Sequence, residues 1–274
     1  MYRKVEKNIF ITVLLLLLFT ACQKTIDLSF DDQSGNIVID GNITNLAGPY
    51  YVRITKSVAF TEINQYPPVM GAVVIISDNS GQIDTLQYEA DGRYRTTNLV
   101  AIPGNTYTLK ATVNGTTYTA QSTLPQPVTL DGLQQDSLSF GGKISYRVIP
   151  VFNDPPSLGN YYRFVIHING VLNKSYNNFS DDTNNGLQNI RPIHASKDNK
   201  DDDKDSAIEK GDTVTVEMQC IDESVYTYFT TLSQISQSGL VGGVTPANPP
   251  SNITNGALGV FSAHTSETRS IVIK

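Results

Sequence analysis

Three histidines, two cysteines and one Asp/Asn-rich loop are the residues of this 274-residue chain whose types suit chemistry. His167 lies in the alternating run "FVIHI", on the opposite face from Ile166 and Ile168; His194 follows a loop and His264 ends a strand. None stands in an HExxH-type pair or near a second ligand at metal spacing, so all three read as surface or interface histidines and no metal is expected. Cys220 falls in the buried register of "VTVEMQC", where cysteine behaves as a small apolar residue, whereas a reactive thiol needs exposure and a lowered pKa. No G-x-S-x-G turn announces a hydrolase serine. In "SDDTNNG", Ser180–Gly186, the residues Asp181, Thr183, Asn185 and Gly186 occupy positions one, three, five and six of a calcium-type loop. Pro192 stands at position twelve, where the bidentate Glu belongs, so the stretch reads as an Asx-rich turn. "DDDK", Asp201–Lys204, reads as a solvated loop. Paired carboxylates at a glycosidase separation are set by tertiary structure, and glycoside chemistry is left open on that ground. No catalytic residue and no cofactor are expected.

Cys22 raises a different chemistry. A basic start, "MYRKVEKN", leads into "IFITVLLLLLFT", an apolar run shorter than the about 20 residues a helix needs to cross a bilayer. Small Ala21 and then Cys22 follow, which is secretory-signal grammar over residues 1–21. The end of the run resembles a bacterial lipobox, with Phe19 where lipoboxes usually carry Leu. The resemblance implies that the Cys22 thiol takes a lipid and becomes the mature N-terminus, anchored to a membrane. Several acyl chains on one residue anchor stably where a single chain does not. Removing residues 1–21 takes Lys plus Arg from 20 to 17 and Asp plus Glu from 26 to 25, and the net charge from −6 to −8. Such an acidic chain is a poor partner for nucleic acid or for an anionic lipid surface. With Cys22 acylated, Cys220 has no partner for an internal disulfide.

The elements that position these residues are mostly strands. Tyr (14), Thr, Val, Asn and Gly abound while Trp is absent, a mix that favours strands and tight turns. Residues 22–36 form a polar, acidic tether. Similar tethers, with a lysine and acids soon after the Cys, occur in surface-exported lipoproteins of Bacteroidota. Residues 37–125 read as a β-sandwich. "IVIDGNIT" and "YYVRIT" alternate, and strands are expected over Ala72–Ser77 and Ile83–Tyr88. "TYTLKATVNGTTYTA" turns at Asn114-Gly115, because both central residues of a type I′ turn need positive φ. Tyr107, Leu109, Ala111 and Val113 form its inward set. The Gly-Ala-Val opener at Gly71–Val73, the "DGRY" turn at Asp91–Tyr94 and "PGNTYTL" at Pro103–Leu109 resemble the carboxypeptidase-regulatory, transthyretin-like β-sandwich. That resemblance implies a non-catalytic spacer or docking module. After the Pro-punctuated linker "LPQPVTLDGL", residues 126–274 read as a second β-rich domain. It holds a hairpin at Asn169-Gly170, the strand "DTVTVEMQC" and one helix near 223–238. Val225, Phe229, Leu232 and Ile235 recur there at helical spacing, with Asp222 placed to cap its start and Gly239 to end it. "ALGVFSA" and "SIVIK" close the chain as strands. The fold class is thus mainly β: two β-sandwich-like domains in tandem, the second with one α-helix. Tyr50, Tyr51, Tyr161 and Tyr162 are expected to pack into the sandwich cores.

The lipobox Cys, the first domain, "NYYRF", the "DD…G" loop, "Y…F…TL" on a helix and "NPPSNITNGALGVFSA" occur in an order of their own. That order resembles an uncharacterised family of Bacteroidota outer-membrane lipoproteins, named only as a domain of unknown function and commonly encoded beside TonB-dependent receptors. The resemblance implies a lipid-anchored outer-membrane protein facing the cell exterior. Its expected partners are a TonB-dependent receptor and an extracellular ligand, to which it would be a non-enzymatic accessory. An adhesin or structural surface protein is the alternative, since tandem β-sandwiches are common cell-surface scaffolds. Loops carry function more often than strands, so the Gly/Pro/Asn segment 239–256, with Asn248, Asn252 and Asn255, is the candidate ligand-binding loop.

Overall fold

Period-two alternation dictates most of this molecule. The computed structural model describes residues 34–59, 65–140, 143–197, 207–238 and 248–274, all within the unit Gln33–Lys274. The signal, Cys22, Asp201–Lys204 and residues 239–247 lie outside the described residues. The chain runs through β1 (Ile37–Thr44), β2 (Tyr51–Lys56), β3 (Val73–Asp78), β4 (Ile83–Thr85), β5 (Gln87–Ala90), β6 (Arg93–Arg95), β7 (Thr106–Val113) and β8 (Thr116–Thr123). It continues through β9 (Gly132–Phe140), β10 (Lys143–Val151), β11 (Tyr161–Ile168), β12 (Val171–Leu172), β13 (Asn177–Ser180) and β14 (Thr213–Ile221). The helix α1 (Glu223–Ser238), β15 (Leu258–His264) and β16 (Glu267–Val272) complete it. The protein is mainly β, as its composition implies.

Two sheets, ordered β15-β1-β2-β6-β5 and β4-β3-β7-β8, enclose the first core. Ile39, Val52, Ile54, Val74, Ile76, Tyr107 and Leu109 fill it. The hairpin of β7 and β8 turns on Asn114 (φ 49°) and Gly115 (φ 84°), as the Asn-Gly pair predicts. A third sheet, β12-β11-β14-β16 with β13 beside β11, builds the second core around Phe152, Tyr162, Phe164, Val216 and Met218. β9 and β10 form a separate two-stranded ribbon.

The strand predicted over Ile83–Tyr88 divides at buried Leu86, and the chain crosses from one sheet to the other there. Asp84, 3% exposed, fixes the crossing: its carboxylate accepts hydrogen bonds from the Thr97, Asn98 and Leu99 amides and from the Thr97 hydroxyl, at 2.7–2.8 Å. Burial alone pushes this carboxyl up, but those hydrogen bonds outweigh it and hold it below the usual carboxylate value.

A larger departure concerns β15. The sequence places it in the second domain, after residue 125, yet it pairs in parallel with β1, Gly259 opposite Ile39 and Phe261 opposite Gly41. Its residues from Gly259 to His264 are buried on both faces: Phe261 and Ala263 enter the first core, while Val260 packs under α1 against Ile221 and Val225. Pairing partners so far apart in sequence leave no local signal. The close approach explains the glycines. A Cβ at Gly259 (φ +95°) stands 2.2 Å from the Ile39 carbonyl oxygen, and one at Gly41 stands 2.8 Å from the Phe261 ring.

Gly259→Ala therefore destabilises the protein by about 3 kcal/mol or more, read as a lower urea midpoint. Asp84→Asn costs about 3 kcal/mol at neutral pH. A lowered folded-state pKa gives stability that is present above the ordinary carboxylate value and lost as pH falls toward the folded one. The gap in urea midpoint between wild type and Asp84→Asn accordingly closes as pH drops from 5 toward 2.

Candidate functional site

The last described turns before β15 are built from polar side chains that face the protein. Asn252 Nδ2 donates to the Phe261 carbonyl (2.7 Å) and the Gln121 carbonyl (3.2 Å), and its Oδ1 accepts from the Phe261 amide (3.0 Å). Asn255 (φ 58°) donates to the Thr117 carbonyl at 2.6 Å. Thr254 exchanges two hydrogen bonds with Thr119, so this segment lies along the free edge of β8. The amides of Asn252 and Asn255 are thus committed to the protein's own backbone, in place of the ligand contacts expected of them. Asn248 differs: it is exposed and lines a pocket.

That pocket, of about 380 Å³, opens on the outer face of the first sheet. Asp40 of β1 and Arg53 of β2 stand directly opposite each other across the strand pair. Each follows a residue that points into the core, and period two turns both outward. Tyr228 of α1, Tyr66, Thr55 and Asn248 complete the polar lining, and Leu258 and Gly259 of β15 form part of the wall. Burial pushes the Tyr228 phenol up to about 12, helped by the nearby Asp40 charge. The protein crowding Asp40 raises its carboxyl, with Arg53 pulling it the other way. Sequence reading misses Asp40, Arg53 and Tyr228. Alternation predicts that the first two face outward, but the strand register that makes them neighbours is not local information.

A second, larger cleft of about 620 Å³ lies where the linker after β8 meets the third sheet, lined by Pro125, Pro127, Val128, Tyr161, Cys220 and Asp222 among others. Its Asp222 carboxylate is already engaged. Asp222 Oδ1 caps α1, accepting from the Val225 amide (2.9 Å), and Oδ2 accepts from the Ser122 hydroxyl (2.5 Å) and the Thr123 amide (2.9 Å). Cys220 is buried as its register implies, and burial pushes its thiol up, away from nucleophilic character.

The calcium-like loop is also turned to structural use. Asp181, buried, accepts from the Asn160 amide (3.0 Å) and side chain (3.2 Å), and Asn185 donates to the Pro156 carbonyl (3.0 Å). Gly186 N–H donates to Asp154, whose other oxygen accepts from the Tyr162 hydroxyl at 2.5 Å. Among the described residues no group of three or more His, Cys, Asp or Glu is placed to hold a metal ion. Of the tyrosines expected in the cores, Tyr50 and Tyr162 are buried. Tyr161 is half-buried against Tyr226, and Tyr51 is exposed with the Arg93 guanidinium 5.5 Å above its ring.

The histidines divide. His194 is exposed and His167 half-buried, but His264 is 4% exposed, a correction to the surface reading, because β15 is covered on both faces. Its Nδ1 lies 2.9 Å from the Ser262 hydroxyl. Burial lowers its pKa to about 4, with Glu217 opposing and Arg163 adding to the shift. Arg163 donates to Gln219 (2.8 Å), Gln219 donates to Glu217 (2.9 Å), and the Arg163 guanidinium stacks 3.9 Å from the Phe229 ring.

Compared with known proteins, residues 23–270 match the family described as Domain of unknown function (DUF4249). No curated protein matches the chain.

The buried histidine sets a pH signature. In the unfolded chain His264 takes a proton near its ordinary 6.5, but in the fold only near about 4, so the unfolded state binds more protons between those values. Stability therefore falls as pH drops through that window, by about 1.4 kcal/mol per pH unit. Urea unfolding of wild type and His264→Gln from pH 7 to 4 is expected to show this extra slope in the wild type alone.

Proposed function

The chain belongs to the DUF4249 family, and from that premise we propose that it is a surface-exposed, lipid-anchored accessory of an outer-membrane TonB-dependent transporter. It binds an extracellular ligand without transforming it. The observation that carries the binding part is the 380 Å³ pocket on the first sheet, within the size range of small-molecule sites and lined by polar groups of several kinds. The anchoring part is supported by the order of a basic start, a short apolar run, Ala21 and Cys22. The transporter partner, the Bacteroidota setting and a transthyretin-like spacer in the first half rest on the sequence resemblances alone. Confinement to the membrane plane by lipid raises the effective concentration of the protein beside its partner, so a weak contact suffices.

The alternative, an adhesin or structural surface protein, draws on the β9–β10 ribbon, where Leu138 and Ile144 remain 51% and 58% exposed. Apolar side chains of that kind on the exposed face of a two-stranded ribbon suit a protein contact.

Two outcomes are expected in the native host. Cys22→Ser moves the protein from the membrane fraction to the soluble fraction and removes incorporation of a labelled fatty acid. A pull-down of the tagged wild type from detergent-solubilised outer membranes recovers one TonB-dependent receptor in stoichiometric amount. Recovery of the protein alone, or of copies of itself, returns the adhesin reading to first place.

A further inference from the structure

The pocket on the first sheet is distinctive for what its lining leaves undone. Asp40 and Arg53 face each other across β1 and β2, yet among the described residues neither makes a salt bridge or a side-chain hydrogen bond. Directly opposed side chains on an antiparallel pair have Cβ atoms about 5 Å apart, within reach of mutual contact. Both open onto the same pocket, where the Arg53 charge acts on the Asp40 carboxyl against the effect of burial. Thr55, 5% exposed, lines the same space. The junction cleft, by contrast, has its Asp222 carboxylate fully committed.

We infer that this pocket binds a small zwitterion, an α-amino acid, with its ammonium on Asp40 and its carboxylate on Arg53. The charge count selects that class. A ligand with one charge complements only one of the two side chains, and a neutral polyol complements the charge of neither. A zwitterion answers each charge with its opposite, and the planar guanidinium offers the carboxylate two parallel N–H donors. The Tyr228 and Tyr66 rings supply aromatic faces for the ammonium or the ligand's side chain. Thr55 and Asn248 add a hydroxyl and an amide. A volume of about 380 Å³ holds an amino acid or a short peptide end, not a folded partner. The inference rests on the ligand-binding part of the function proposed above and not on the transporter.

The test is isothermal titration of the purified protein with the twenty amino acids in turn, with glucose and galactose, and with the singly functional succinate and butylamine. Binding by one or more amino acids is expected, weakened about tenfold or more in both Asp40→Asn and Arg53→Gln and unchanged in Glu209→Gln, in the turn before β14 and outside the pocket lining. Both site residues are exposed, so the variants keep the wild-type thermal midpoint, which is checked alongside. Binding of a sugar or of a singly charged probe in preference overturns the inference. So does amino-acid binding indifferent to both variants, or no binding at all. A receptor recovered by pull-down with no amino-acid binding removes this inference and leaves the transporter reading standing.

Discussion

The parallel pairing of β15 with β1 is the contact on which the rest of the structure depends. It brings a strand from near the end of the chain against one near its beginning, and Phe261 and Val260 of β15 fill the first core and the small cluster under α1 at once. Its backbone approaches so closely that only glycine fits at 259. Once β15 is in place, α1 has a surface to cover and Val260 meets Val225. His264 is then enclosed, and the outer face of β1 acquires the wall that turns an open sheet into a pocket.

One carboxylate reinforces that arrangement. Asp222 begins the helix and accepts from Ser122 and Thr123 of β8, while the Ser122 hydroxyl accepts from the Ala263 amide of β15. Three elements therefore share one buried polar knot, and a half-satisfied knot of this kind is worse than none. Asn252 repeats the design a short distance away by tying the approach to β15 to the backbones of β8 and β15. The polar loop residues that resemble ligand contacts in sequence are thus fasteners. Asp40 and Arg53, which form no ion pair or side-chain hydrogen bond among the described residues, sit on the sheet face instead.

This division explains how the site and the fold differ in legibility. Local rules read well: the Asn114-Gly115 and Asn169-Gly170 turns, the Asp222 cap and the buried register of Cys220 stand where alternation and turn chemistry place them. They fail where a distant partner decides. Leu86 interrupts an apparently continuous strand because Asp84 is held by the amides of residues 97–99. His264 looks like a strand-end surface residue and is enclosed because β15 is covered on both faces, with β14 and α1 among the elements packed against that strand. Asn248 was legible as a candidate, but its neighbours Asp40 and Arg53 were not, since they lie about two hundred residues away in the chain.

By itself the sequence determined the mainly β class, the turn positions, the single described helix and the outward direction of Asp40 and Arg53. All of these follow from period-two and period-3.6 patterning and from residues that favour positive φ. Only the tertiary structure decided that β15, near the end of the chain, returns to the first sheet, and which polar groups are spent internally and which face a cavity. Strand partners are selected by long-range packing and register, and those carry no signature within any short window of residues.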